Sequence, residues 1–273
     1  MTWNDKVALV TGGGSGIGRA FARHVCAAGG RVLIADVDEA GGHATAEQCG
    51  GSGLARFLRT DVTREDDAAR AVAEAVAAFG GVDMLHNNAS ILLRSDRIED
   101  VDPALFSKVV NVNLVGMFLM ARAVTAHMRP RRSGVIVNMS SKGGLRGQPH
   151  ILAYSATKAA ALSFTRGLAA QLAPDGIRVN ALIPGLVATE MARGGPNMAV
   201  AQKAGRYVFE PEEMARAVAY AAEREDLNGA ILEYDGTAGR PQMLVLGDFA
   251  ATEIDPGFGP ARPALPSNQT SPA

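Results

Sequence analysis

The stretch Val7-Ala8-Leu9-Val10-Thr11-Gly12-Gly13-Gly14-Ser15-Gly16-Ile17-Gly18 runs an apolar, strand-forming segment straight into a glycine loop and a helix start. Glycine there permits a tight turn and lets backbone amides approach a pyrophosphate, whose charge the start of the following helix favours. A lone glycine-rich turn usually just connects strand to helix. Its place directly after the first strand makes Gly12, Ser15, Gly16, Ile17 and Gly18 a candidate dinucleotide cradle.

Working outward, short β-rich runs alternate with longer Ala-rich stretches. Strands are expected over 7–10, 32–35, 55–58, 82–85, 135–139, 179–183 and 231–234. The segments between them, notably 16–28, 64–79, 103–128 and 153–172, are long enough for the crossover helices that parallel strands require. Several strand candidates are almost continuously apolar, as expected when helices cover both sheet faces. The fold class is therefore α/β: one doubly wound parallel sheet of about seven strands with helices on both faces. The 273 residues suffice for one large domain, expected over 1–247, followed by a Pro-rich tail over 248–273.

Apolar residues make up 47% of the chain and its net charge is -1, so no broad basic field invites nucleic acid or an anionic membrane. The expected partner is a small molecule. No charged leader precedes a signal-length apolar stretch, and no uninterrupted apolar span of membrane length follows, so a soluble cytoplasmic protein is expected. Cys26 and Cys49 fall in predicted helical segments without zinc-ligand spacing, which favours free thiols and no metal site.

Chemistry enters at Tyr154-Ser155-Ala156-Thr157-Lys158, thirteen residues after Ser141. A phenol loses its proton near pH 10, and moving that by about three units toward neutrality takes roughly 4 kcal/mol of differential stabilisation. On a helix, positions four apart share a face, so the Lys158 ammonium can supply it to Tyr154 and make the phenol an acid or base. Ser141 follows the apolar run 135–139, where a strand end can aim its hydroxyl at the same substrate oxygen. A Tyr/Lys pair alone usually marks nothing more than a helix face. Its occurrence in one order with the glycine loop, Asp36, Asn87-Asn88-Ala89, Asn113, Ser141 and Pro184-Gly185 makes coincidence a poor explanation.

These motifs resemble the short-chain dehydrogenase/reductase family, whose pattern reads Thr-Gly-x-x-x-Gly-x-Gly, Asn-Asn-Ala-Gly, Asn, Ser, Tyr-x-x-x-Lys and Pro-Gly. The resemblance spans roughly residues 6 to 236. It implies a Rossmann-like, NAD(P)-dependent oxidoreductase with Asn113, Ser141, Tyr154 and Lys158 as the catalytic group. In that reading Lys158 also holds the nicotinamide ribose, and Asn113 holds a water linking Lys158 to solvent; the alternative for Asn113 is a polar residue capping a helical kink. Asp61 and Val62 would hold adenine, the alternative for Asp61 being a helix cap. Asn88 and Ala89 would face the cofactor, although Ser90 stands where the family has glycine. Pro184, Gly185, Val187 and Thr189 would lie beside the nicotinamide carboxamide, where physics alone offers a turn and a cap. Related enzymes commonly form tetramers through the helices corresponding to 103–128 and 153–172, so a homotetramer is expected.

Asp36 ends the second strand, where a carboxylate accepts bonds from ribose hydroxyls and repels a ribose phosphate; its plainer reading is a loop carboxylate. NAD is the expected cofactor, with Ser15 and Val37 standing where a basic residue could neutralise the extra phosphate and Arg19 and Arg59 as complications. Less regular sequence over 190–211 suggests a lid hinged at Gly194-Gly195-Pro196 and bearing Met191, Met198, Tyr207 and Phe209, unless these residues only pack a connecting helix. With Leu92, Leu93, Ile151 and Leu186, they suggest an apolar pocket for a secondary alcohol or ketone. The Pro-rich end cannot form an ordinary helix and could extend over a neighbouring subunit. Two other functions compete: a dinucleotide-sensing or scaffold protein, and a sugar-nucleotide epimerase or dehydratase. The intact Ser141, Tyr154 and Lys158 set argues against the first. The glycine spacing and the absence of a larger C-terminal substrate domain argue against the second.

Overall fold

In a computed structural model, the described residues are 2–193, 196–204, 207–236, 242–246 and 251–254. The strands are β1 (Val7–Thr11), β2 (Arg31–Asp36), β3 (Ala55–Arg59), β4 (Met84–Asn87), β5 (Gly134–Met139), β6 (Ile177–Pro184), β7 (Ile231–Asp235), β8 (Gln242–Leu246) and β9 (Ala251–Ile254). The helices are α1 (Gly16–Ala27), α2 (Glu39–Gln48), α3 (Glu65–Phe79), α4 (Pro103–Val110), α5 (Gly116–Arg131), α6 (Lys142–Leu145), α7 (Leu152–Leu172), α8 (Pro196–Lys203) and α9 (Pro211–Glu223). One nine-stranded sheet runs β3-β2-β1-β4-β5-β6-β7-β8-β9. The seven strands read from sequence are all present and pair in parallel. Two additions, β8 and β9, pair antiparallel at the far edge.

β9 carries strand pairing past residue 247, where the sequence suggested that the domain ends. The rest of the expected tail, 255–273, lies outside the described residues.

Strand burial explains the continuous apolar runs. All five residues of β1 are buried, as are five of the six in β5, while β3 at the sheet edge is only half covered. Alternate residues serve opposite faces. Ala8 and Val10 join Phe21 and Val25 of α1 and Met214 and Val218 of α9, whereas Leu9 joins Val72 of α3 and Met120 and Val124 of α5. The sequence direction reverses between β1 and β4, so a crevice opens at their carboxyl ends.

Two local features shape that crevice. A Cβ on Gly18 would lie 2.2 Å from the Gly12 carbonyl oxygen, so α1 packs against the loop only because glycine stands there. The single helix expected over 103–128 is instead two, joined by a π-helical turn over Asn111–Val115 that turns Asn113 inward, fully buried. Cys26 and Cys49 are buried free thiols.

His86 of β4 is completely buried with its ring edge-on to Phe21 at 4.9 Å, and neither ring nitrogen has a partner among the described residues. Burial, with the Lys158 charge adding to it, pushes its pKa down from 6.5 to about 3. An unfolded His86 therefore takes up a proton at a pH where the folded one cannot. Stability is retained above pH 6.5 and lost as pH falls toward 3, by roughly 5 kcal/mol over that window. His86→Val should flatten this acid branch, measured by urea midpoints from pH 7 to pH 4 beside the parent chain.

Candidate active site

The carboxyl ends of β1 and β4 are tied by one hydroxyl. Thr11 Oγ1 accepts from the Asn88 and Ala89 amides at 3.0 and 3.1 Å and donates to the His86 carbonyl at 3.3 Å. Asn88 returns the tie, its side-chain amide donating to the Thr11 and Gly12 carbonyls. Gly12, at φ +64°, is seated so closely that a Cβ would lie 2.9 Å from the Ala89 Cα.

Beside this junction lies a cavity of about 710 Å³. Gly12, Ser15, Gly16 and Ile17 form one wall, Asp36, Asp61 and Val62 the end, and Asn88, Ala89, Tyr154, Lys158, Pro184 and Thr189 the rest. Of the expected cofactor residues, Gly18 lies beneath the loop, while Gly185 and Val187 line a second cavity.

Three observations suit this cavity to a dinucleotide. Ser15, at the N-cap of the twelve-residue α1, makes no side-chain cap bond, and no acidic residue sits in the first turn, which leaves an anion-binding end facing the space. Asp36 accepts from the Gly14 amide at 2.8 Å and the Asp38 amide at 3.0 Å, which fixes its carboxylate at the cavity wall. The buried Ser90 hydroxyl, also on the wall, has no partner among the described residues. Ser90 is not among the residues with positive φ, so it replaces glycine there without backbone strain.

The reactive groups are brought together by β5 and α7. Ser141 follows β5, accepts from the Gly143 amide at 3.2 Å and hydrogen-bonds to Tyr154. Lys158 is 2% exposed; its Nζ donates to the Met139 carbonyl at 2.9 Å and lies 5.4 Å from the centre of the Tyr154 ring. The Ser140 hydroxyl donates to the Lys158 carbonyl at 2.7 Å and pins the helix to the strand. Asn113 stands behind. Its amide donates to the Ile91 carbonyl at 3.0 Å and to Thr157 Oγ1 at 3.1 Å, and its oxygen accepts from the Ile91 amide at 2.8 Å. The Asn113 side chain thus clamps the loop after β4 to α7.

The electrostatics depart from the expectation that Lys158 lowers the phenol. In the chain itself, burial pushes the Tyr154 phenol up, and the Ser141 bond pulls it only part of the way back. Burial also brings Lys158 down from 10.5 to about 8, so its charge is kept below that pH and lost above it.

The second cavity, of about 420 Å³, meets the first at Tyr154, Ile17, Pro184, Thr189 and Met191. Leu92, Ile151, Leu186 and Tyr207 line it as the sequence suggested. Phe209 lines it too, but as a fixed element. It is fully buried, its amide donates to the Leu186 carbonyl at 2.8 Å, and its ring would lie 2.4 Å from a Cβ on Gly185. Met198 is buried and packs α8, while Leu93 is not on the wall. The suggested hinge at Gly194 and Gly195 lies outside the described residues. Sequence reasoning missed Thr11 and Ser140 as ties, and Arg94, Lys142 and Gln148 on the second wall. No spacing marks these residues, because each acts across long stretches of chain.

The profile of the short chain dehydrogenase family matches residues 6–198. A 3-alpha-(or 20-beta)-hydroxysteroid dehydrogenase of Mycobacterium bovis is 38% identical over 249 residues, covering 91% of this chain and 94% of the relative. A cis-4-hydroxycyclohexanecarboxylate dehydrogenase of Sinomonas cyclohexanicum is 38% identical over 239 residues, covering 85% and 96%. Among solved structures, 3-ketoacyl-(acyl-carrier-protein) reductase from Brucella melitensis, complexed with NADH, superposes with a TM-score of 0.80 at 34% identity, covering 86% of this chain and 98% of that one.

Replacing the buried lysine separates stability from chemistry. Below pH 8 Lys158 is charged in both folded and unfolded chains, so its burial cost is fully felt; the cost eases as pH rises from 8 to 10.5. Lys158→Met removes about 3 kcal/mol of that cost and forfeits about 1–2 kcal/mol by leaving the Met139 carbonyl without a donor. A net gain of about 1–2 kcal/mol is expected in urea unfolding at pH 7, shrinking toward pH 10.

Proposed function

The chain belongs to the short-chain dehydrogenase family and is an oxidoreductase acting on alcohol and ketone groups, and on that premise we propose that it interconverts an alicyclic secondary alcohol and its ketone with NAD. The observation that carries this reading is the meeting of a dinucleotide-sized cleft and a mostly apolar cavity at one half-buried phenol, Tyr154. The substrate oxygen lies between Ser141 and Tyr154, and its carbon faces the cleft. A nicotinamide held in the cleft beside Lys158, Pro184 and Thr189 would supply the hydride chemistry in either direction. Tyr154 takes the hydroxyl proton or returns it, Ser141 holds the oxygen, and Lys158 draws the phenol toward its ionised form as its own charge is retained. Asn113, through its clamp on Thr157 and Ile91, keeps the lysine's helix in place and supports proton exchange with solvent.

NAD is preferred to NADP. The Asp36 carboxylate faces the adenosine end, and the nearby arginines are engaged elsewhere: Arg19 on the Gly14 carbonyl and Glu190, Arg59 on Glu39 at 3.4 Å. Relatives named for a hydroxysteroid and a hydroxycyclohexanecarboxylate support a ring-bearing substrate.

Assembly follows from apolar surface. Leu105 and Phe106 on α4, Phe118 on α5 and Leu152 on α7 are 37% to 46% exposed, and four copies of the chain would cover them. The run Pro103–Arg131 is long and apolar enough to cross a membrane by composition, but Met117, Met120, Val124 and Met128 are buried in the protein core. We read it as a core and interface helix of a cytoplasmic homotetramer, and light scattering should return four chain masses.

Tyr154→Phe should bind NADH as the parent does and lose at least a thousandfold of turnover on a panel of alicyclic alcohols. Parental turnover in that variant would refute the assignment. Asp36→Ala should lower kcat/KM for NAD about tenfold and raise it for NADP, read by initial rates with each cofactor.

A further inference from the structure

The second cavity is mostly apolar, yet two cations stand on its wall, Arg94 and Lys142. Lys142 is already neutralised, its ammonium bonded to Asp235 and 3.6 Å from Glu233. Among the described residues no carboxylate pairs with Arg94, which makes it the uncompensated charge of this wall. It does not line the dinucleotide cleft, so cofactor phosphates are not its partner.

Arg94 is also held in position. Three residues before it, Ile91 is bonded through both its amide and its carbonyl to the buried Asn113. One residue after it, the Ser95 amide donates to the His150 carbonyl at 3.1 Å, and Asp96 pairs with the His150 ring at 3.0 Å. A loop tied on both sides fixes the Arg94 backbone beside the cavity, and its exposed side chain is on the wall. Ser141 and Tyr154 line the same cavity.

We propose that Arg94 is a specificity residue that grips a carboxylate carried by the substrate, remote from the carbon that reacts at Tyr154. The proposal rests on the alcohol–ketone reading and narrows its substrate to a ring-bearing hydroxy or keto acid. A planar guanidinium matches a carboxylate with two parallel hydrogen bonds. A phosphate dianion would call for a second uncommitted cation, which Lys142 does not provide.

The test is calorimetric binding of cyclohexanecarboxylate and its neutral isostere cyclohexanecarboxamide to the full chain, with and without NADH, in the parent, Arg94→Gln and Arg94→Lys. The parent should bind the acid about tenfold tighter than the amide. Arg94→Gln should erase that preference and leave amide binding unchanged, and Arg94→Lys should restore part of it. Equal binding of acid and amide by the parent, or a preference that survives in Arg94→Gln, overturns the proposal. NADH binding and oxidation of neutral alicyclic alcohols, measured alongside, report on the underlying reading. Turnover without acid preference sinks only the Arg94 assignment; acid preference without dinucleotide binding supports it while the redox reading fails.

Discussion

The Thr11 hydroxyl joins two strands that are adjacent in the sheet and more than seventy residues apart in sequence, and the rest of the site depends on that junction. β1 and β4 diverge at their carboxyl ends because their connections leave to opposite sides of the sheet. Without a tie, the Asn88 and Ala89 amides would be unpaired at the crevice and the glycine loop would lose its back wall. With it, Gly12 rests against Ala89 and Gly18 against Gly12, so the start of α1 is aimed into the cleft. The position of the α1 start at the crevice follows from packing that only glycine at these two places allows.

From that junction the loop after β4 leads into Asn113, and Asn113 leads to α7. A π turn makes this possible by adding a residue between α4 and α5 and rotating one polar side chain into the core. There both its N–H groups and its oxygen find partners, as in most buried amides. The same clamp that steadies the helix bearing Tyr154 and Lys158 sets the start of the loop bearing Arg94. Asn113 therefore supports both the helix and the loop that line the second cavity.

Lys158 and His86 show what the active region costs the fold. Both are buried, both have pKa values pushed down by that burial, and the charge of one depresses the other further. A protein built for stability alone would fill both places with apolar side chains. The phenol beside them is pushed up by the same desolvation. The Ser141 hydrogen bond offsets only part of that rise.

Periodicity and local chemistry made much of this protein legible in one dimension. The continuous apolar runs gave away strands covered on both faces, the glycine loop after β1 marked a wall of the first cavity, and helical spacing put Tyr154 and Lys158 together. Two strands escaped: β8 and β9 lie past the last family motif, and their pairing depends on what stands beside them. The helix over 103–128 hid a π turn, because an inserted backbone bond leaves no mark in composition. Residues whose role comes from local conformation could be read from the chain alone. Thr11 as a tie, Phe209 as a fixed wall, the direction of the Tyr154 shift and the lack of a carboxylate partner for Arg94 among the described residues could not. Each depends on groups far away in sequence, and only folding decides which buried atoms have partners and which charges are neutralised.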